Sequence, residues 1–128
     1  MKLLYGDLTE KIIGAMFEVH KVLGPGLSEN IYRRAVLKEL NSQGIKATSE
    51  KEYPIIYKGE RVGRYRLDIV VEDKVVLELK ALSRLEPVDE AQVLTYLRGT
   101  GFKVGLLANF GEEKLKFKRF VLNEARSG

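Results

Sequence analysis

Apolar residues recur along the chain with two different periods, and the switch between them sets out the elements. From Asp7 to Leu23 they fall at Leu8, Ile12, Ala15, Met16, Val19 and Leu23, the three-and-four spacing of a helix that buries one face. Asp7 is the expected N-cap, with Glu10 at the capping-box position, and Gly24-Pro25-Gly26 ends the helix. A second helix is expected from Ser28 as N-cap to about Ser42, stopped by Gly44. The period then drops to two. Strands are expected at Lys46–Tyr57, Arg61–Val71 and Lys74–Leu79, with a first hairpin turn at Lys58-Gly59-Glu60 and a second at Glu72-Asp73-Lys74. Pro54 predicts an edge position or a bulge for the first strand. Pro87 opens a third helix over Val88–Arg98, closed by Gly99 and Gly101. A buried strand at Lys103–Ala108 follows, then a turn at Asn109-Phe110-Gly111. Alternating residues around Leu115–Phe120 make an edge strand, with short disorder at Arg126–Gly128. The order helix, helix, strand, strand, strand, helix, strand, strand specifies an α/β fold with a central mixed sheet flanked by helices.

Three polar residues interrupt this pattern. Tyr65, Leu67, Ile69 and Val71 alternate with Arg66, Asp68 and Val70, and Val75, Leu77 and Leu79 alternate with Val76, Glu78 and Lys80. Period two puts both carboxylates and the ammonium on one kind of face. If the strands are neighbours in the expected register, Asp68 and Glu78 converge, although a one-residue slip would separate them. Two converging carboxylates repel unless a cation lies between them, and oxygen donors suit a hard cation of the magnesium type.

Two helices add to this set. On the second, stepping back three from Tyr32 on the Tyr32-Val36-Leu40 stripe lands on Glu29, so a carboxylate prolongs the face that meets the sheet. A first-turn glutamate is also explained by the helix dipole alone. On the third, Gln92 and Tyr96 stand four apart beside Val93 and Leu97, read either as a site pair or as a core-margin tyrosine and a solvated glutamine.

Composition narrows the chemistry further. At 128 residues the chain has the length of one domain, 1–128, with 45% hydrophobic and 31% charged residues. It has no cysteine, which excludes disulfides, zinc-thiolate centres and cysteine nucleophiles and fits a reducing cytoplasm. No apolar run approaches the ~20 residues that span a bilayer, and Asp7 and Glu10 interrupt any leader early, so no membrane partner is expected. His20 is the single histidine, placed at a helix C-terminus where a cationic ring is favourable or where it supports a site; no Ser-His or His-metal mechanism has the residues it needs. The net charge of +4 and pI near 9.3 allow a polyanionic partner.

Taken together, these segments resemble the PD-(D/E)XK nuclease superfamily and, more closely, the small bacterial and archaeal family of GxxExxY proteins. The resemblance is carried by HKVLGPGLSENIY with Gly26, Glu29 and Tyr32, by RLDIVVEDKVVLELKAL with Asp68, Glu78 and Lys80, by VDEAQVLTYLRGTG with Gln92 and Tyr96, and by GLLANF. It covers nearly the whole chain and implies a restriction-endonuclease-like core. It further implies that Asp68 and Glu78 ligate Mg²⁺ or Mn²⁺, with the Leu79 carbonyl as a further ligand and Glu29 supplementing the site. Lys80 would position or activate the attacking water, and Gln92 and Tyr96 would match the supporting pair of the RecB-like branch. Where relatives carry histidine before the alanine-glutamine pair this chain has Asp89, read as solvated or as an extra acid near the site. The activity implied is metal-dependent phosphodiester hydrolysis of DNA or RNA, without covalent intermediate. Phosphates would be gripped by Arg33, Arg34, Arg64, Arg66, Lys103 and the Lys114–Arg119 run, including Lys116 and Lys118. The protein would act as a homodimer or with an activating partner in defence or repair. The alternative is a nucleic-acid-binding subunit that keeps the fold without catalysis.

Overall fold

The computed structural model describes residues 3–122, so the disorder expected at Arg126–Gly128 lies outside the described residues. The elements are α1 (Gly6–Leu23), α2 (Glu29–Ser42), β1 (Ala47–Tyr57), β2 (Glu60–Val71), β3 (Val75–Lys80), α3 (Pro87–Thr100), β4 (Val104–Asn109) and β5 (Lys116–Val121). The sheet runs β1-β2-β3-β4-β5. Only β3 and β4 are parallel, as the α3 crossover requires, and the other neighbours are antiparallel. The expected mixed α/β sheet is present. Helices α1 and α2 cover one face, sealing Ile12, Met16, Tyr32, Val36 and Leu40 against Ile69, Leu77, Leu79 and Leu106. Helix α3 covers the other, with Val93 and Leu97 on Leu67, Val76 and Leu107. Strands buried from both sides carry the continuous apolar runs seen in β3 and β4.

Turn chemistry fixes the sheet's register. Lys58 and Gly59 both take positive φ (48° and 83°), joining the paired residues Tyr57 and Glu60 by a two-residue hairpin turn. Glu72 and Asp73 also take positive φ (53° and 54°) in the three-residue connection between the paired Val71 and Val75, where Lys74 N–H closes onto the Val71 carbonyl. Pro54 sits on the edge strand, and the register slips between Ile55 and Ile56, so edge and bulge are both present. Helix α2 stops as expected: Gly44 has φ 77°, and Ile45 N–H reaches back to the Leu40 carbonyl.

Four expectations are corrected. Asp7 is not the N-cap of α1; Tyr5 is, in the left-handed region, because a turn over 3–6 starts the helix earlier and leaves Asp7 in its first turn. Gly99 does not end α3, which runs to Thr100 and caps at Gly101. A Cβ at Gly99 would lie 2.8 Å from Tyr65 Cε2 and 3.1 Å from Ile55 Cδ1, so this glycine lets the helix approach the β1–β2 hairpin. Asp89 is neither solvated nor part of the site: it is buried, and its carboxylate accepts the Glu86 N–H at 2.8 Å to complete a capping box. Finally, Tyr65, Leu67, Ile69 and Val71 do not share one face. Tyr65 and Leu67 pack in the α3 core, whereas Ile69 and Val71 pack beneath α1 and α2, so the alternation inverts at Asp68.

His20 is buried at the end of α1, its Nε2 2.8 Å from the Glu112 carbonyl and its ring tilted on Phe110. It ties α1 to the loop after β4.

Candidate active site

The inversion at Asp68 coincides with a fork in the sheet. The β2–β3 ladder pairs Val71 with Val75, Val70 with Val76 and Ile69 with Leu77, and then stops. Side chains take over from there. Asp68 Oδ2 accepts the Leu79 N–H at 2.9 Å, and Glu78 Oε1 accepts the Asp68 N–H at 3.4 Å. The two carboxylates therefore stand opposite each other because they fill the opening between diverging strands, and both are nearly excluded from solvent. A buried backbone N–H must find an acceptor, which ties these carboxylates to the fold as well as to any chemistry.

Lys80 follows two residues after Glu78, and its Nζ donates to Gln92 Oε1 at 3.2 Å. Gln92 lies on α3 one turn before Tyr96, whose ring rests on Tyr65 with centroids 4.8 Å apart. Glu29 begins α2. Its placement traces to Tyr32: the hydroxyl donates to the Gly24 carbonyl at 2.5 Å and accepts the Leu27 N–H at 3.1 Å, and the ring stacks on Phe110 at 4.8 Å. The tyrosine thus locks the glycine-proline-glycine turn that aims the α2 N-terminus. Asn109, fully buried, does the same for the segment after β3: its amide accepts the Leu82 N–H at 2.9 Å and donates to the Leu82 carbonyl at 3.0 Å.

Asp68, Glu78, Lys80, Glu29, Gln92 and Tyr96 all line one cleft of about 260 Å³. Burial pushes the Glu78 carboxyl up to about 8, the Asp68 charge adds to the rise, and Lys80 opposes it. Glu29 is also raised, first by burial and then by Asp68. Tyr96 is raised by burial and by Glu78. Burial is the leading cause for all three, and the neighbouring carboxylates add to it. The set of hard oxygen donors fits a divalent cation. Among the described residues, however, no three carboxylates or histidines are gathered closely enough to hold one, so Glu29 does not join Asp68 and Glu78 in a ready-made three-carboxylate centre.

Four further residues line the cleft: Arg33, Glu50, Arg66 and the apolar Leu67. Arg33 is largely enclosed and already ion-paired within the cleft. Its Nη1 donates to Asp68 Oδ1 at 3.0 Å and its Nη2 lies 3.2 Å from Glu50 Oε1. Glu50, which the sequence pattern did not single out, has φ 54° within β1 and also pairs with Arg66 at 3.1 Å. A charged residue among strand positions was the only available signal. Of the other basic residues expected to grip phosphate, Arg64 pairs with Glu52 at 2.6 Å on the hairpin, and Arg34 is exposed on α2. Lys103 precedes β4, and Lys116 and Lys118 lie on the far edge strand, where Lys118 pairs with Glu90. None of these lines the cleft.

No described helix is long and apolar enough to cross a membrane. Among solved structures, the chain is similar to the alkaline exonuclease (LHK-Exo) from Laribacter hongkongensis, with a TM-score of 0.53 at 11% identity over 98% of this chain and 74% of that one. It is also similar to SSO0001, with a TM-score of 0.50 at 18% identity over 94% of this chain and 62% of that one. At such identities the likeness is one of fold. No curated protein matches the chain. The model of the PD-(D/E)XK nuclease superfamily matches residues 6–120, spanning both helices, the fork and α3, and the chain belongs to that superfamily.

Proposed function

We propose that this protein is a nuclease of the GxxExxY family, within the RecB-like branch, that hydrolyses phosphodiester bonds, of DNA in preference to RNA, with Mg²⁺ or Mn²⁺. The observation that carries the reading is the fork, where Asp68 and Glu78 converge and Lys80, held by Gln92, reaches the same cleft. Asp68 and Glu78 would hold the cation, and Glu29 at the cleft wall would supplement it. When bound, the ion supplies positive charge at the phosphate and acidifies a water. Lys80 donates to that water or to a phosphate oxygen, and its bond to Gln92 sets its direction. Tyr96 on the rigid α3 closes the cleft beside them.

Substrate grip is assigned to the β1–β2 hairpin. Residues 51–66 carry Lys51, Lys58, Arg61, Arg64 and Arg66 against Glu52 and Glu60, and Arg66 already lines the cleft. Because β2 pairs with β3 only at Ile69–Val71, the rest of the hairpin extends past β3 beside the site.

The test is cleavage of linear, nicked, flapped and single-stranded DNA and RNA with Mg²⁺, Mn²⁺ or EDTA. Metal-dependent cutting of at least one substrate is expected. Metal binding without cutting of any of them would favour an enzyme that a partner activates, and absence of both would favour the non-catalytic subunit.

A further inference from the structure

Asp68 has one inward and one outward oxygen. Oδ2 is committed to the Leu79 N–H, and Oδ1 carries the Arg33 guanidinium at 3.0 Å. Arg33 is well enclosed, with its side chain 15% exposed, and its other contacts are Glu50 at 3.2 Å and the Asn30 side-chain oxygen. The guanidinium therefore bridges α2, β1 and β2 at the point where a cation on Asp68 would be placed. A divalent ion and a guanidinium compete for the same outward lone pairs, and their like charges repel at that range. Arg33 also has somewhere to go. Glu50 is 43% exposed at its side chain, so the arginine keeps an ionic partner toward solvent when it leaves Asp68.

We propose that Arg33 is a resident counter-cation that competes with the divalent metal for Asp68, so that metal loading requires its displacement. The inference rests on the metal-site reading given above. It accounts for a fork that holds its two carboxylates together without a third close by. It also makes Arg33 a determinant of how much free metal the protein needs.

The experiment is titration of the metal-free full chain with Mn²⁺, followed by the electron paramagnetic resonance signal of free Mn²⁺. Arg33→Gln keeps a polar side chain at this position but removes the charge and the guanidinium contacts to Asp68 and Glu50. Arg33→Lys is the charge-retaining control. A charge-assisted bond of this kind is worth enough to expect Mn²⁺ binding at least ~10-fold tighter in Arg33→Gln. Arg33→Lys should stay within about threefold of wild type, since it keeps the competing charge. Equal or weaker binding by Arg33→Gln, in a protein whose wild type binds Mn²⁺, overturns this inference alone. Failure of both to bind overturns the metal-site reading together with it.

Discussion

Neutralising Glu78 should stabilise the metal-free protein while removing one of its proposed metal ligands. In the folded chain this carboxyl is pushed from 4.5 up to about 8, chiefly by burial and then by the Asp68 charge. Below pH 4.5 it is neutral in both the folded and the unfolded chain and costs nothing. Between pH 4.5 and 8 the unfolded chain releases the proton while the folded chain keeps it, so stability falls as pH rises, and above pH 8 the full loss is reached. A displacement of that size corresponds to ~5 kcal/mol at its limit. Solvent in the cleft screens part of it, so ~2–3 kcal/mol is the expected gain for Glu78→Gln at pH 8. The glutamine keeps an acceptor for the Asp68 N–H. The assay is thermal and urea unfolding by circular dichroism in EDTA from pH 4.5 to 9, for both proteins. At this chain length the gain should appear as a Tm higher by ~6–12 °C at pH 8 and nearly unchanged at pH 4.5. Mn²⁺ should raise the Tm of wild type and do much less for the variant. A difference that is absent at pH 8, or equal across the pH range, would refute the reasoning.

Three other outcomes follow from named contacts. Tyr32→Phe loses the bonds to Gly24 and Leu27 and should cost ~1–3 kcal/mol in urea unfolding, with cleavage impaired beyond what unfolding explains because Glu29 is no longer aimed. Gln92→Ala frees the Lys80 ammonium, and kcat should fall ~10-fold or more with little change in Tm; an unchanged kcat would remove Gln92 from the site. Charge reversal of Lys58 and Arg61 on the hairpin tip should weaken nucleic-acid binding by fluorescence anisotropy and lower the slope of log K against log salt by ~2, about one for each lost phosphate contact. An unchanged slope would place the grip elsewhere.

Much of the architecture is legible in the chain because short-range signals agree with one another. Gly24-Pro25-Gly26, Gly44 and Pro87 punctuate the helices, and the turns at 58–59 and 72–73 set the register that brings Asp68 opposite Glu78. What escapes the pattern depends on long-range geometry. Tyr65 through Val71 alternates without interruption on paper, yet the strand inverts its faces at Asp68, because β2 and β3 separate there and each half packs on a different layer. Gly99 looks like a helix stop, but its role is set by the hairpin crossing above it. Arg33 looks like one more surface cation on α2, and its partners on β1 and β2 come from residues 17 and 35 positions later. Asp89 looks like a substitution near the site, while its carboxylate is used by its own helix.

Single-turnover cleavage of an end-labelled DNA in Mn²⁺, by wild type, Lys80→Ala and Asp68→Asn proteins of matched fold, tests the central claim most directly. The account predicts that wild type cuts and that each substitution slows cutting by ~10³-fold or more, with EDTA abolishing what remains. Cutting that persists at the wild-type rate in both variants would contradict it, and would put any nuclease activity outside this cleft.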